Sequence, residues 1–599
     1  MNQPQGGETR NLIIAVVLSM LVFVAWFAFF PTPDKAQQQQ NQAAQQQAQA
    51  TATVPGVTPS GEVYQHKDRD AALAAEGPRV RIDTPAVDGS IRLTGARFDD
   101  LNLRRYRTTL DASAPEINLL QPVGVTNPYY AEFGWVADPS TPAAMPGKDT
   151  VWTLSAGDTL APGKPVTLTW DNGAGLQFTR IIEIDENYVA TIKDSVANTG
   201  GAAVKLYPYG QIVRGGVPFF HPIWVVHQGM IGVANGTLRE KDYTEIVEEG
   251  ARTDAVETTG GWLGFTDHYW MTALVPDQNE PVTATFKAVN QGHWELYTSD
   301  FLYKNGRDIA PGGKAEATHR LFAGAKVVSL LDSYEESLGI QRFDMAVDWG
   351  WFAFLTKPIF LLLDWLYSIV GNFGVAILLL TVILKLIFFP LANKSYESMA
   401  KMKKIQPEML ALRERWKDDP PKQQQEMLAL YRREKVNPVS GCLPLLLQIP
   451  VFFSLYKVLY VTIEMRHAPF FGWIQDLSAH DPTSVFNLFG LLPYAVPAFL
   501  LIGAWPILNG FVMWVQMKMN PPAPDPTQQR IFGIMPWLFM FMLASFPSGL
   551  VIYWAWNGLL SITQQYFIMR RMKAEIHLFD NLRTSWPFKL FMKPPAKKA

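Results

Sequence analysis

The 599-residue chain has one cysteine, Cys442. No intrachain disulfide can form, so any domain outside the cytoplasm must hold together by its core alone. Strong charge of either sign is also missing: the formal net charge is −2 and the mean hydropathy is +0.02, and no sequence-specific nucleic-acid partner is expected. There is no internal repeat, no Gly-x-Ser-x-Gly and no phosphate loop, and His221, His227 and His268 are scattered without metal-ligand spacing. Neither a cofactor nor a metal is expected, and no catalytic residue can be assigned.

What the chain has in quantity is apolar run length. Hydrophobic residues make up 48% and aromatics 13%, but these averages hide two halves. Residues 31–341 read as soluble, and 349–569 are mostly apolar. Asn11 to Phe30 (NLIIAVVLSMLVFVAWFAFF) is close to the roughly twenty residues that cross a bilayer, and FAFFPTP after it lacks a small-x-small cleavage pattern. Residues 1–31 are therefore expected to be an uncleaved anchor, with Arg10 favouring a cytoplasmic N-terminus. Residues 32–61 follow as a Gln/Ala-rich tether with little from which to build a core. From 62 to 342, short alternating runs (VRIDT, VTLTWDNG, LQFTRIIEID, YVATIKDSVANTG, VTATFKAVN) separated by Gly, Pro, Asn and Asp predict an all-β sandwich.

The second half divides by parity. Trp351–Val370 abuts the next run at Gly371-Asn372 and carries Lys357, Pro358 and Asp364, so 343–371 is expected to be an amphipathic helix in the interface, with the crossing at 372–391. Eleven Lys or Arg residues between 393 and 440, against Arg466 alone between 463 and 484, put the first segment in the cytoplasm and the second outside. Within 392–440, helical spacing on either side of Asp418-Asp419-Pro420-Pro421 predicts a basic hairpin. Lys401, Lys403, Lys404, Arg413, Arg415, Arg432 and Arg433 on it could dock a ribosome, a targeting factor or lipid head groups, or simply be solvated. Four crossings in 441–570, the fourth roughly 497–519 behind an apolar lead-in, leave the basic tail 571–599 inside. The expected fold is a six-span α-helical membrane protein with a large all-β domain outside the cytoplasm.

One residue stands out in this pattern. Lys385 lies in VAILLLTVILKLIFFPLA, where an ammonium in hydrocarbon costs roughly 2.5 to 3.5 kcal/mol. It either snorkels to the nearer surface or lines a wet cavity with Thr381, one turn away on the same face. The other runs offer Gln448, Asn509 with Gln516, and a stripe of Tyr553, Asn557, Ser561, Gln564 and Gln565. None is acidic, so Lys385 has no evident counter-ion in the membrane. A solute transporter coupled to ions would be expected to show one.

FDMAVDWGWFAFLTKPIF, FFPLANKSYESMAKMKKIQPEM, EKVNPVSGCLPLLLQIPVFFSLYKVL, EMRHAPFFGWIQDLSAHDP, DPTQQRIFGIMP and FPSGLVIYWAWNGLLSITQQYFI together resemble the YidC family (YidC/Oxa/Alb) of bacterial inner-membrane protein insertases, end to end. The resemblance implies a periplasmic β-sandwich, an interfacial helix and a five-helix core with a hydrophilic groove open to the cytoplasm and lipid. It implies nascent membrane proteins as substrates, with the ribosome, signal-recognition targeting factors, the Sec translocon and membrane lipids as partners. By motif position Lys385 is the groove charge and Thr381 its polar neighbour; Gln448 and Tyr553 match lining positions, to which the polar stripes add Gln516 and Asn557. Many relatives carry arginine at the groove charge, and lysine keeps the charge without the bidentate fork. The proline-rich stretch 485–503 is longer than in typical relatives. A membrane-tethered periplasmic carbohydrate-active or carbohydrate-binding protein is the other alternative, because such sandwiches resemble sugar-binding folds.

Overall fold

The structure, a computed structural model, describes residues 68–218, 226–248, 253–290, 295–436, 443–492, 494, 496–497, 501–520 and 526–572. The expected anchor and tether, His221, Cys442 and the tail beyond Met572 lie outside the described residues.

Residues 79–325 form two packed sheets. The first, of eleven strands, runs from Thr253–Thr259 through Pro281–Asn290, Glu295–Tyr303, Val204–Gly215, Tyr129–Ala137, Arg97–Arg107, Val87–Arg92 and Arg79–Asp83 to Thr159–Leu160, with Arg307–Ile309 and Glu116–Leu120 pairing beside this path. The second, of nine, runs from Thr237–Asp242 through Gly229–Ala234, Trp262–Thr266, Trp270–Val275, Lys314–Ala325, Val189–Asn198, Leu176–Ile184 and Val166–Asp171 to Thr153–Ala156. Pairing is antiparallel throughout, except between Arg79–Asp83 and Thr159–Leu160. In the strands with one outward face, alternation turns the other inward: in Leu176–Ile184 the buried residues are Leu176, Phe178, Arg180 and Ile182. Phe265 of the second sheet meets Tyr129 of the first edge to face, with ring centroids 6.1 Å apart.

Arg180 is a fully buried charge in this core. Its Nε and Nη2 donate to the two carboxylate oxygens of Asp194 at 2.7 and 2.9 Å, and Nη2 also reaches across the sandwich to the Phe133 carbonyl at 2.7 Å. Burial would raise the Asp194 carboxyl, but Arg180, with His319 beside it, holds it down at about 2. The bidentate fork satisfies a charge that could not otherwise stay buried.

Three short helices border the sandwich: α1 (Arg69–Ala75), α2 (Tyr243–Glu248) and α3 (Val328–Leu338). The chain then enters the helical half through a 3-10 turn, Phe343–Ala346, and α4 (Ala353–Val370). α4 buries Ile359, Phe360, Leu363 and Leu366 and exposes Phe354, Trp365 and Ile369, with Trp351 exposed just before it, so its outer face is apolar too. It stops at Gly371, whose φ of +67° lets its N–H donate a hydrogen bond to the Tyr367 carbonyl and close the end. Asn372 then caps α5 (Phe373–Ile387) by accepting from the Val375 amide. This two-residue corner reverses the chain where no loop was available.

At Phe388 the chain bends by 69° into α6 (Phe389–Arg415). Pro390, lacking an amide hydrogen, forces the break. The expected hairpin is present: Asp419 caps α7 (Pro420–Arg433), and Gln423 donates to the Arg413 carbonyl at 2.9 Å. α8 (Leu443–Val461), α9 (Ala504–Met519), α10 (Pro526–Leu543) and α11 (Ser548–Arg571) complete the bundle. α9 begins later than the 497 expected. Among the described residues, α4 alone, or the bent α5–α6 pair taken as one span, is long and apolar enough to cross a membrane by length and composition. α11 has the length, but its polar stripe lowers its hydropathy.

A polar joint ties the sandwich to the bundle. Lys457 on α8 donates to Asp348 at 2.7 Å, and Asp348 also accepts the His227 amide. Arg466 donates to the Arg107 carbonyl at 2.6 Å with its guanidinium over the Tyr269 and Trp270 rings. Glu464 accepts the first amide of α3, from Val328, at 2.9 Å, and burial pushes its carboxyl up to about 7. The His268 ring meets the Tyr460 carbonyl, and burial lowers it to about 4, so it stays neutral near pH 7. His227 packs its ring between Asp242 (3.1 Å) and the Met230 carbonyl (2.9 Å). The two described histidines of the sequence trio thus serve packing and the joint.

Candidate functional site

The polar residues of the helical half converge on α11. Lys385, half-buried on α5, donates from Nζ to the Ser561 hydroxyl at 2.7 Å, and Ser561 donates onward to the Asn557 carbonyl at 2.8 Å. Tyr396, near the start of α6, is buried beside the same region. One helical turn before Lys385, Thr381 is buried and spends its hydroxyl on the Ile377 carbonyl of its own helix at 2.7 Å. Gln448 on α8 donates its amide to the buried Tyr553 hydroxyl. Gln516 on α9 lies beside Gly558, its Oε1 4.0 Å from where a Cβ there would stand.

Further ties lie along the same helix. Trp556 Nε1 donates to the Leu378 carbonyl at 3.2 Å, Gln564 to Asn393 at 3.1 Å and Gln565 to Asn520 at 2.9 Å. α11 is therefore joined by side-chain hydrogen bonds to α5, α6, α8 and the end of α9. Burying these groups is tolerable because nearly all find a partner; the Oε1 of Gln565 is the exception among them.

The electrostatics are one-sided. No carboxylate lies within ion-pair distance of Lys385 among the described residues; its hydrogen-bond partner is a neutral hydroxyl. A hydroxyl orients an ammonium but does not neutralise it. Among the described residues no group of three or more His, Cys, Asp and Glu could hold a metal ion.

Of the expected site residues, Gln448 meets Tyr553, and Lys385 is linked through Ser561 to the backbone of Asn557; Thr381 bonds within its own helix, and Gln516 lies beside Gly558. On the hairpin, Lys401, Lys404, Arg415, Arg432 and Arg433 are exposed, and Lys403 and Arg413 are half-buried; Arg433 pairs with Glu408 and, at 3.1 Å, with Glu434. Sequence reasoning missed Tyr396, Asn393 and Asn520. They sit at helix ends, outside the apolar runs in which a polar residue is conspicuous.

Comparison with known proteins defines the class. Residues 79–362 match the family described as "YidC periplasmic domain" and residues 365–575 the one described as "60Kd inner membrane protein": an inner-membrane protein whose sandwich is periplasmic and whose remainder is helical. Proteins named "Membrane protein insertase YidC" are 52% identical in Methylobacterium nodulans, 51% in Methylobacterium radiotolerans and 50% in Nitrobacter hamburgensis, over 97%, 97% and 98% of this chain and 98%, 98% and 99% of theirs. The chain belongs to the YidC family. A solved structure titled as an active YidC insertase with its first transmembrane domain resolved aligns at 19% identity over 83% of this chain and 96% of its own, with a TM-score of 0.35. A galactose-mutarotase-related enzyme from Lactobacillus acidophilus aligns at 10% identity and a TM-score of 0.28, over 41% of this chain and 97% of its own. Overlaps this weak carry no argument for sugar chemistry.

Proposed function

We propose that this protein inserts nascent membrane proteins into the bacterial inner membrane through a groove lined by Lys385, Thr381, Gln448, Gln516, Tyr553 and Asn557. The observation that carries the reading is Lys385: an ammonium within the helical half, held by a hydroxyl and lacking a carboxylate among the described residues. A polar tail crossing hydrocarbon unaided costs several kcal/mol per unsatisfied group. A partly wet groove shortens that path, and a fixed cation makes first contact with acidic residues favourable while apolar segments leave against lipid. No covalent bond is made or broken.

The topology that serves this function has six crossings, 1–31, 372–391 and four within 441–570, with both termini cytoplasmic and α4 in the outer interface. Loop charge supports it. The basic hairpin 392–440 then faces the ribosome and targeting factors through Lys401, Lys403, Lys404, Arg413, Arg415, Arg432 and Arg433, and the chain works alone or beside the Sec translocon.

In proteoliposomes, Lys385→Ala should cripple insertion of substrates with acidic translocated tails, and Lys385→Arg should not. Equal insertion by wild type and both variants would defeat this mechanism.

A further inference from the structure

Residues 482–517 contain no Asp, Glu, Lys or Arg. The first part of this stretch does not join the bundle. Phe486, Leu488, Phe489, Leu491, Leu492 and Tyr494 are all exposed, Leu491 by 81%. Six large apolar side chains within nine residues of a folded loop need a cover other than water.

The loop nonetheless has a defined shape. Asp481, buried at its root, accepts from Trp473 Nε1 (3.1 Å), the Thr483 amide (3.0 Å) and hydroxyl (2.7 Å), and the Trp505 amide in the first turn of α9 (3.0 Å). The Val485 amide bonds the Ile502 carbonyl at 3.1 Å, which pins the base of the loop at the head of α9. The turn itself is tight: Leu488 and Phe489 have φ of 51° and 59°, a left-handed conformation that bulky residues adopt only when their surroundings impose it. The amides of Phe489 and Leu492 close it on the Ser484 and Asn487 carbonyls at 2.7 and 3.1 Å.

We propose that residues 485–492, with Tyr494, form an apolar finger that dips into the acyl-chain edge of the outer leaflet beside the head of α9. The proposal rests on α9 crossing the membrane with its N-terminus outside. The position identifies lipid as the occupant, because the base of the finger is fixed to the first turn of a spanning helix, at the level where headgroups meet chains. Composition agrees: an uncharged finger gains from apolar burial and needs no anionic headgroup, unlike the basic hairpin on the other face.

The test uses single cysteines at Leu491, at exposed Asp158 on the sandwich and at Leu410 on the hairpin, in a Cys442→Ser background. Each carries an environment-sensitive fluorophore, in full-length protein reconstituted into phosphatidylcholine vesicles with and without phosphatidylglycerol. The expected result is a blue-shifted probe at 491, shielded from iodide and quenched more by lipids brominated high on the acyl chain than near its end, since such elements bury about 5–10 Å deep, and equally so in both lipid mixtures. The probe at 158 should be open to iodide. Iodide quenching at 491 equal to that at 158 overturns the finger, and so does shielding without any lipid quenching, which would mean a protein cover. A membrane-impermeant thiol reagent separates the two levels. If it reaches 158 and 410 from the same side, the topology fails; if from opposite sides while 491 lies in water, the finger alone fails.

Discussion

At the scale of the residue, Ser561 matters because of what it faces. It takes one hydrogen of the Lys385 ammonium and passes its own to the Asn557 carbonyl, so Ser561→Ala removes the acceptor and keeps the charge. Leaving a buried donor unmet costs about 1–3 kcal/mol. The variant should therefore unfold at lower temperature in detergent yet keep more insertion of acidic-tailed substrates than Lys385→Ala. In the sandwich, Arg180→Met strands a buried carboxylate at Asp194. A loss of about 3–5 kcal/mol is expected, read as a lower denaturant midpoint for the near-ultraviolet signal of the full chain. Glu464 gives a pH signature. Its folded value of about 7 lies above the ordinary carboxylate range near 4.3, so its contribution is fully present below about pH 4 and is lost as pH rises through 7. Glu464→Gln should flatten that fall in thermal midpoint between pH 5 and 8, and should exceed wild type at pH 8; identical profiles would disprove the assignment.

The elements owe their arrangement to small residues and caps. A Cβ on Gly558 would stand 2.6 Å from Val512 Cγ1, and one on Gly374 2.0 Å from the Phe470 ring. Gly558 therefore sets the spacing of α9 and α11, and with it the place of Gln516. Gly558→Leu should destabilise by about 1–3 kcal/mol through overpacking and should weaken crosslinking between cysteines at Gln516 and Asn557; an unchanged crosslink would show that Gly558 does not set the spacing of the two helices. The helices of the second half were legible in large part because apolar runs, the Asp-Asp-Pro-Pro break and the Gly371-Asn372 corner are local signals. The late start of α9 was not legible. It depends on Asp481, which reaches 24 residues forward to the Trp505 amide, and no window of sequence shows such a contact.

For the whole molecule, the joint of Asp348–Lys457, Arg466–Arg107 and Glu464–Val328 fixes the sandwich on the outer ends of the bundle. None of the residues proposed to line the groove lies in the sandwich. Deleting 61–320 should thus leave much of the insertase activity in a reconstituted assay, whereas complete loss would favour a function seated in the periplasmic domain. About half of the strands were read from sequence, those with clean alternation and turn residues at both ends. Strands such as Gly229–Ala234 and Trp262–Thr266, buried at every position, have no period-2 signal to read.

The sequence by itself determined the two-part plan, the sidedness expected from its loop charges and the anomaly of Lys385, because hydropathy and charge act over single spans and need no partner. Only the tertiary structure decided what Lys385 touches. Ser561 lies 176 residues away, and the meeting of α5 with α11 follows from close packing at glycines and from capped corners, whose consequences exist only once the helices have assembled.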